Sequence, residues 1–520
     1  MNRSEGYYFI IQTLNFSIEA LKRKAYEKPK QFYFTLTLVS IIVKLRWMTE
    51  PKMKKSLPLL SDQQMKSFIQ DGYIKLIPDY APELHEKIYR EIEQMLNKNG
   101  NLGNNVLPLI PDIQTIFDHP LVRGALTGVL GANYVMHSHR FCHFNAPGST
   151  GQDFHKDSYE GDIYANNHRC RWAMAFYYPQ DTPKKVGPTS ILPGSQYYET
   201  SQAAHENSEL VLSGQPGTIT IVHYDLWHRA MANLSLSNRY MLKFLFYRLQ
   251  EPTNPTWHNE DARWFQSEDG EPNYSKHQII YQKIWSWYRG KPASSSTVDI
   301  QTSLPDLFNQ LSDDQETKRL ESAYTLGSAG DASISGLVDR LADESIGHYA
   351  TISLGISNQN AVEELISALK HPQDIVRTRA ACALGNLGIA SESAKPQLLL
   401  ALNDPAPRVR RNAAESLGNI EFKSGDHSFA EQQTVALAQL LKDEHYWVRD
   451  NAARSLAKMG PKAKQAIPSL QSALNDENRY VRFNAALALR EIGTRRAQEI
   501  LFDHLFTSRW CSLTTPDSAF

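Results

Sequence analysis

The sequence predicts a multidomain chain in which a β-rich, double-sheet domain with flanking helices precedes an all-α solenoid. Three observations carry this expectation. Between Tyr134 and Leu249, short runs rich in β-branched and aromatic residues are bounded by Gly, Pro and Asn, the pattern of a sandwich or double-sheet barrel. From about Leu304 the composition turns to Ala, Leu, Arg and Asp, and one motif recurs at a nearly fixed spacing. A length of 520 residues accommodates two to four domains, and 41 % apolar with 21 % charged residues suits soluble globular ones.

Residues 1–55 form an N-terminal extension. Its uncharged run Phe32–Val43 is twelve residues long and is interrupted by Lys44 and Arg46. That is shorter than the roughly 20 residues of a membrane span. Three readings stay open: a helix packed on the body, a stretch upstream of a true start near Met48 or Met53, or an interfacial anchor. There is no firm membrane evidence. Globular patterning occupies residues 56–290. In "LSDQQMKSFIQDGYIKL", Ser61 and Gln64 make a capping box, and Met65, Phe68 and Ile69 form a helical stripe. Gly72 ends that helix, "YIKLI" reads as a strand, and a second helix covers Pro82 to Leu96. The segments "YVMHSHRFCHFN", "RWAMAFYY", "GPTSILPG", "GTITIVHYD" and "RYMLKFLFYR" read as strands. The Trp- and Tyr-rich segment ends in "QIIYQKIWSWYRG", a helix expected to pack on the sheet. A polar linker follows over residues 291–303.

The solenoid covers residues 304–506, with a tail at 507–520. Its copies include "DIVRTRAACALGNLG", "PRVRRNAAESLGNI", "YWVRDNAARSLAKMG" and "RYVRFNAALALREIG". The matched valines Val376, Val409, Val448 and Val481 are 33, 39 and 33 residues apart. The copies resemble HEAT repeats, pairs of helices that bury their apolar faces only by stacking. Asp404, Asp443 and Asp476 sit five residues before their valines and are expected to cap a helix start. Arg377, Arg410, Arg449 and Arg482 are expected to pair with neighbouring aspartates as a structural ladder. Positions that differ between copies, Thr378, Arg411, Asp450 and Phe483, are available for a protein partner or for packing on the barrel.

A formal net charge of −1 provides no basic field to attract nucleic acid. Cys142, Cys170, Cys382 and Cys511 lie far apart, so neither a zinc knuckle nor a disulfide framework is indicated, and a reducing, cytoplasmic compartment fits.

Chemistry is concentrated in "GQDFHKDSYEG". His155 and Asp157 stand two residues apart, and on a strand that spacing points both to one face. A third ligand is expected from a later strand, where "VHYDLWHRAMANLSLSNRYMLKF" offers His223 and His228. Arg239 follows His228 by eleven residues, a step that brings an arginine on the next strand into the same mouth. Its guanidinium suits a bidentate clamp on a carboxylate.

With these marks, the segment from about Leu59 to Arg248 resembles the phytanoyl-CoA dioxygenase family of Fe(II)- and 2-oxoglutarate-dependent oxygenases. The matching features are "LSDQQMKSFIQDGYIKL", His155-x-Asp157, "GPTSILPGSQYY", and His228 with Arg239. The resemblance implies a double-stranded β-helix (jelly roll). It implies Fe(II) on His155, Asp157 and His228, with His223 the competing ligand, and Arg239 on the distal carboxylate of 2-oxoglutarate. Dioxygen is the other cosubstrate, and no catalytic residue beyond the metal centre is expected. Two imidazoles and one carboxylate leave iron positions open for the keto acid and O2. Related halogenases replace the ligand Asp with a small residue, so Asp157 favours hydroxylation. Trp172 is a further cofactor-side candidate, and Arg140 and Asn145 are substrate candidates. His139, His143 and His168 are other polar candidates for the mouth. Some family members carry a hydroxyl two residues after the distal His, where this chain has Ala230. The expected partners are a small-molecule substrate and, through the repeats, either a protein partner or intramolecular docking. A rival reading is a catalytically silent scaffold or sensor. If the repeats are separable from catalysis, a chain ending near Lys291 should fold and keep its iron.

Overall fold

A capping box opens helix α1 (Asp62–Asp71). Gln64 donates its backbone N–H to Ser61 Oγ, and Ser61 donates its own to Gln64 Oε1. Met65, Phe68 and Ile69 are its buried stripe, and left-handed Gly72 ends it. The computed structural model describes residues 57–100, 103–157, 168–204, 209–264, 277–291, 302–420 and 427–507. The N-terminal extension, most of the expected linker, and residues 508–520 of the tail lie outside these residues.

Strand β1 (Tyr73–Leu76) and helix α2 (Pro82–Asn99) follow as expected. Three further helices, α3 (Val106–Leu109), α4 (Ile113–Asp118) and α5 (Pro120–Leu130), are absent from the sequence-based assignment. They are short or apolar on most sides, so an amphipathic period does not mark them. The strands are β2 (Val135–Asn145), β3 (Trp172–Tyr177), β4 (Thr189–Ile191), β5 (Leu210–Val211), β6 (Ile219–His223), β7 (His228–Ala230) and β8 (Arg239–Tyr247). They form a five-stranded sheet in the order β1-β6-β3-β8-β2 and a three-stranded sheet in the order β5-β4-β7. Every pairing within the two sheets is antiparallel. The architecture is the double-stranded β-helix.

Strand β8 lies between β3 and β2, and its two faces go to different cores. Met241 and Leu245 join Met174, Phe176 and Val222 in an inner cluster between the sheets. Leu242, Phe244 and Phe246 pack outward, where Phe117 on α4 lies 4.4 Å from Phe244 and 5.5 Å from Phe246 by ring centroid. Helix α6 (Gln278–Tyr288) packs with Trp257 and Trp264 at the foot of the sheet.

The solenoid runs through α7 (Leu304–Gln310), α8 (Glu316–Ser328), α9 (Asp331–Asp339), α10 (Gly347–Gly355), α11 (Ala361–Ala368), α12 (Asp374–Leu387) and α13 (Lys395–Ala401). It continues through α14 (Pro407–Asn419), α15 (His427–Leu440), α16 (Tyr446–Met459), α17 (Ile467–Ala473), α18 (Arg479–Ile492) and α19 (Arg495–Thr507). Ser416 Oγ donates to Ala381 O and Ser455 Oγ to Ala414 O, so the small residues bring α12, α14 and α16 close together. The ladder forms at three of the four expected arginines, and Arg482 donates instead to the backbone carbonyls of Asp476 and Glu477. Arg377 clasps Asp404, Arg410 clasps Asp443 and Arg449 clasps Asp476, each through two hydrogen bonds. The aspartates are not the cap residues themselves. Asp404, Asp443 and Asp476 accept the N–H of Ala406, His445 and Asn478, the residues that stand at the caps.

Of the two uses expected for the repeats, docking on the barrel is realised. One cluster of buried apolar side chains extends from Leu60 to Ile500. Arg171 pairs with Glu251 through two hydrogen bonds, and its third arm donates to Asn386 Oδ1 at 2.9 Å. Tyr247 Oη donates to Asn484 Oδ1 at 2.9 Å. His137 stacks on Tyr480 and meets Phe483 edge-on, and Glu316 accepts from the backbone of Glu199 and Thr200.

This packing argues against a free-standing barrel. Ending the chain near Lys291 strips Arg171, Tyr247 and His137 of their partners, so the truncated protein should aggregate or melt at a lower temperature. Size-exclusion chromatography and thermal melting check this. A second expectation concerns acid. Burial pushes His137 well below its ordinary range and holds His139 at about 4, so both stay neutral in the folded interface. An unfolded histidine takes up a proton near pH 6.5. Stability contributed by these groups is therefore complete above that pH and lost as pH falls towards the folded values. The urea midpoint should drop between pH 7.5 and pH 5, and less so in His137→Phe.

Candidate metal centre

His155 and His228 meet across an isolated antiparallel bridge, each donating its backbone N–H to the other's carbonyl, at 2.9 and 3.0 Å. The bridge brings their rings to 4.6 Å between centroids. Asp157 follows His155 and is 5 % exposed, with Oδ2 at 3.5 Å from His228 Nε2. Ligand atoms of His155, Asp157 and His228 all lie within 4.8 Å of one another, the one such metal-capable group among the described residues. Both imidazoles are oriented from behind: Nδ1 of His155 sits 3.0 Å from Asp153 O, and Nδ1 of His228 sits 3.0 Å from Leu226 O. A carbonyl accepts only from N–H, which fixes the tautomer and leaves each Nε2 lone pair facing inward. Burial pushes His228 down to about 4, so it is a neutral donor at physiological pH. This donor set fits a divalent metal of the Fe(II) type. His223 stands apart from the triad, at the end of β6, where its Nδ1 accepts from Asp225 N.

Arg239 begins β8 and is 1 % exposed. Its Nε donates to Gly187 O at 2.9 Å, while buried Nη1 meets no acceptor among the described residues. An orphaned guanidinium nitrogen on the barrel's inner face suits an incoming carboxylate. Asn145 lies opposite Arg239 and donates to the same carbonyl of Gly187 and to Met231 O. These bonds tie strand ends together. Gly187 has φ +70°, and a Cβ there would come within 2.5 Å of Asn145 Nδ2. Arg140 pairs with Phe244, out of phase with the inner face, and does not line the cavity described below. Asn145 is likewise not in the lining of that cavity. Trp172 stacks on Tyr247 at 4.7 Å, eight residues along β8 from Arg239. That is roughly 25 Å of strand, so Trp172 is a wall of the mouth and not a neighbour of Arg239.

Lys243 was missed from sequence. Four residues after Arg239 on β8, it shares the inner face, is 4 % exposed, and donates from Nζ to Asp157 Oδ2 at 2.6 Å. Burial would raise the Asp157 carboxyl, but Lys243 and His228 hold it at about 2. The period of two, read forward from Arg239, was the available signal. His143, opposite Met241, also faces inward; burial lowers it to about 3, and its Nε2 has no partner among the described residues.

Beside the triad, whose residues are not in its lining, lies a cavity of about 180 Å3. Leu245, Trp172 and Tyr224 form the barrel side, and Arg411, Trp447 and Tyr480 belong to the solenoid. Tyr224 Oη donates to Asp157 O at 2.8 Å, linking cavity and triad. His139 lines the cavity 2.7 Å from Tyr480 Oη, and His168 lies 3.0 Å from Tyr324 Oη.

Residues 71–241 match the phytanoyl-CoA dioxygenase family, and residues 362–431 and 434–510 match HEAT repeats. The chain joins a phytanoyl-CoA dioxygenase domain to HEAT repeats. As such it is an Fe(II)- and 2-oxoglutarate-dependent dioxygenase, with O2 as the other cosubstrate. Solved structures similar to it include the non-heme alpha ketoglutarate dependent carbocyclase SnoK from nogalamycin biosynthesis, at 16 % identity and TM-score 0.30, covering 37 % of this chain and 85 % of that one. EctD from S. alaskensis with bound Fe is 16 % identical at TM-score 0.32, covering 43 % and 88 %. AviO1 from Streptomyces viridochromogenes Tue57 is 13 % identical at TM-score 0.31, covering 36 % and 95 %. No curated protein matches the chain significantly. No helix among the described residues is long and apolar enough to cross a membrane.

Replacing Lys243 with Met leaves a buried carboxylate without its cation, a change that costs about 3–5 kcal/mol. Thermal melts of Lys243→Met without metal should show that loss. Added divalent metal, by supplying positive charge to Asp157, should shrink it.

Proposed function

We propose that His155, Asp157 and His228 hold Fe(II), that Arg239 holds the distal carboxylate of 2-oxoglutarate, and that the domain hydroxylates a C–H bond of a small organic molecule. The observation that carries this reading is the convergence of two Nε2 atoms and one carboxylate within 4.8 Å on the barrel's inner face. Iron and the keto acid together supply dioxygen activation, with 2-oxoglutarate and O2 consumed and succinate and CO2 released.

The protein's own residues prepare that chemistry. Carbonyls of Asp153 and Leu226 hold the two imidazoles in the ligating tautomer. Lys243 keeps Asp157 ionised and fixes its Oδ2. Arg239 is oriented by Gly187 O, so its free Nη1 is aimed before the cosubstrate arrives. Apolar Met174, Phe176 and Val222 line the inner core and exclude water, which strengthens these charge contacts. Ala230 offers no hydroxyl, so Arg239 is the principal polar hold on the distal carboxylate. With Asp157 in the ligand set, oxygenation is favoured over halogenation.

Iron retention in single alanine variants tests the ligand set. His155→Ala, Asp157→Ala and His228→Ala should lose iron, while His223→Ala should keep it. Arg239→Ala should keep iron but raise the 2-oxoglutarate requirement by about tenfold or more, the effect of losing a charge-assisted hydrogen bond. Arg239→Lys should not restore it. Succinate formation against 2-oxoglutarate concentration is the measurement, and an unchanged requirement in Arg239→Ala removes that residue from the role.

A further inference from the structure

The HEAT repeats do more than support the barrel. We infer that the cavity between the barrel mouth and helices α14, α16 and α18 receives the primary substrate, that the repeats supply its selecting wall, and that it accepts a small molecule with a planar apolar body and an oxyanion group, either carboxylate or phosphate. This rests on the reading of the triad as the iron site.

Position comes first. Lys243, Leu245 and Tyr247 are successive inner-face residues of β8. Lys243 touches Asp157, Leu245 lines the cavity, and Tyr247 stacks on Trp172. The residue touching the triad and the residue lining the cavity are therefore adjacent on the inner face of β8. On the far side, Arg411 and Glu415 come from α14, Trp447 and Arg454 from α16, and Tyr480 from α18. No wall remains on that side if the repeats are removed.

Size and shape come next. At about 180 Å3 the cavity is smaller than the roughly 300–1,000 Å3 of sites for drug-sized ligands. A coenzyme A thioester does not fit inside it. Trp172, Tyr224 and Trp447 are in its lining, aromatic surface that suits a planar apolar body.

Charge decides the remaining group. Among the described residues, four arginines border the cavity against three carboxylates. The carboxylates already have cations or donors. Asp450 accepts from Arg454 at 2.9 Å and from Asn484 at 2.7 Å. Burial pushes Glu415 up, yet Arg411 and Arg454 hold it below its usual range. The cation facing Asp225 is Lys156, whose charged form that carboxylate favours. Arg171 is paired with Glu251, and that leaves Arg169, which donates to the neutral carbonyl of Asn386. Burial, then the neighbouring Arg171, presses Arg169 down to about 10. After burial, the charges acting on His137 are cationic: Arg454, Arg140 and Arg479 among them. The surplus is positive, so an amine is disfavoured and an oxyanion is attracted.

The test uses the full-length protein, anaerobic, saturated with Fe(II) and 2-oxoglutarate so that Arg239 is already filled. Benzoate, phenyl phosphate, benzylamine and benzyl alcohol are titrated by calorimetry. Benzoate or phenyl phosphate should bind at least about tenfold tighter than the other two, and whichever of the pair binds identifies the oxyanion. Trp447→Ala should weaken that binding by about tenfold, Trp447→Phe should largely restore it, and both should retain iron. Partly exposed Tyr446→Ala on the same rim serves as a second variant that leaves the core intact. Tighter binding of benzylamine overturns the charge assignment. Oxyanion binding unaffected by both Trp447→Ala and Tyr446→Ala overturns the solenoid wall. Failure of iron to bind the wild-type triad refutes the metal reading instead, and calorimetry on the metal-free protein then reads the cavity alone.

Discussion

Residues two apart on a strand share a face, and β8 depends on this at every position. Its inner face carries Arg239, Met241, Lys243, Leu245 and Tyr247, from the orphaned guanidinium to the stack with Trp172. Its outer face carries Leu242, Phe244 and Phe246 into the helical core. A one-residue slip would send Lys243 to the helices and Phe244 to Asp157, exchanging an ion pair for a ring. Pairing on both edges, with β3 and β2, is what prevents such a slip.

Buried charge shapes both halves. Asp157 and Lys243 are almost fully buried, and such groups persist only as partners. The same logic recurs where barrel and solenoid meet. Arg171 divides its donors between Glu251 and Asn386, and Trp287 Nε1 also donates to Glu251. Burial would raise Glu251, but Arg171 holds it at about 2. Polar pairs of this kind add little net stability, yet each demands one geometry. They therefore set the angle at which the repeats meet the mouth, while the apolar cluster supplies the adhesion.

Much of this was legible in the residues. Ser61 with Gln64, the strand segments, the four valine-marked repeats and the Arg–Asp ladder follow from local rules of capping, alternation and stacking. The convergence of His155, Asp157 and His228 was legible because spacing and residue type coincide, and Arg239 was legible as a buried residue of the next strand. The docked solenoid was less legible, because nothing local distinguishes Phe483 facing a partner from Phe483 facing His137. The two- and three-residue strands β5 and β7 were missed because such short strands carry no measurable period. Asn145 and Arg140 were named for being polar on a strand near the site, which does not say which face or which carbonyl a side chain serves.

The ladder has a direction. Arg377, Arg410 and Arg449 each reach forward to the next repeat, whereas Arg482 bonds only the carbonyls of Asp476 and Glu477. Repeat arrays tolerate gain and loss of units because each copy touches only its neighbours. Here that freedom is curtailed. Adding or deleting a copy among α12 to α17 would leave every rung intact and still carry the wrong helix over the mouth. Copy number in the middle of this array is thus fixed by what the last repeats must face, and length drift is confined to the end where the ladder stops.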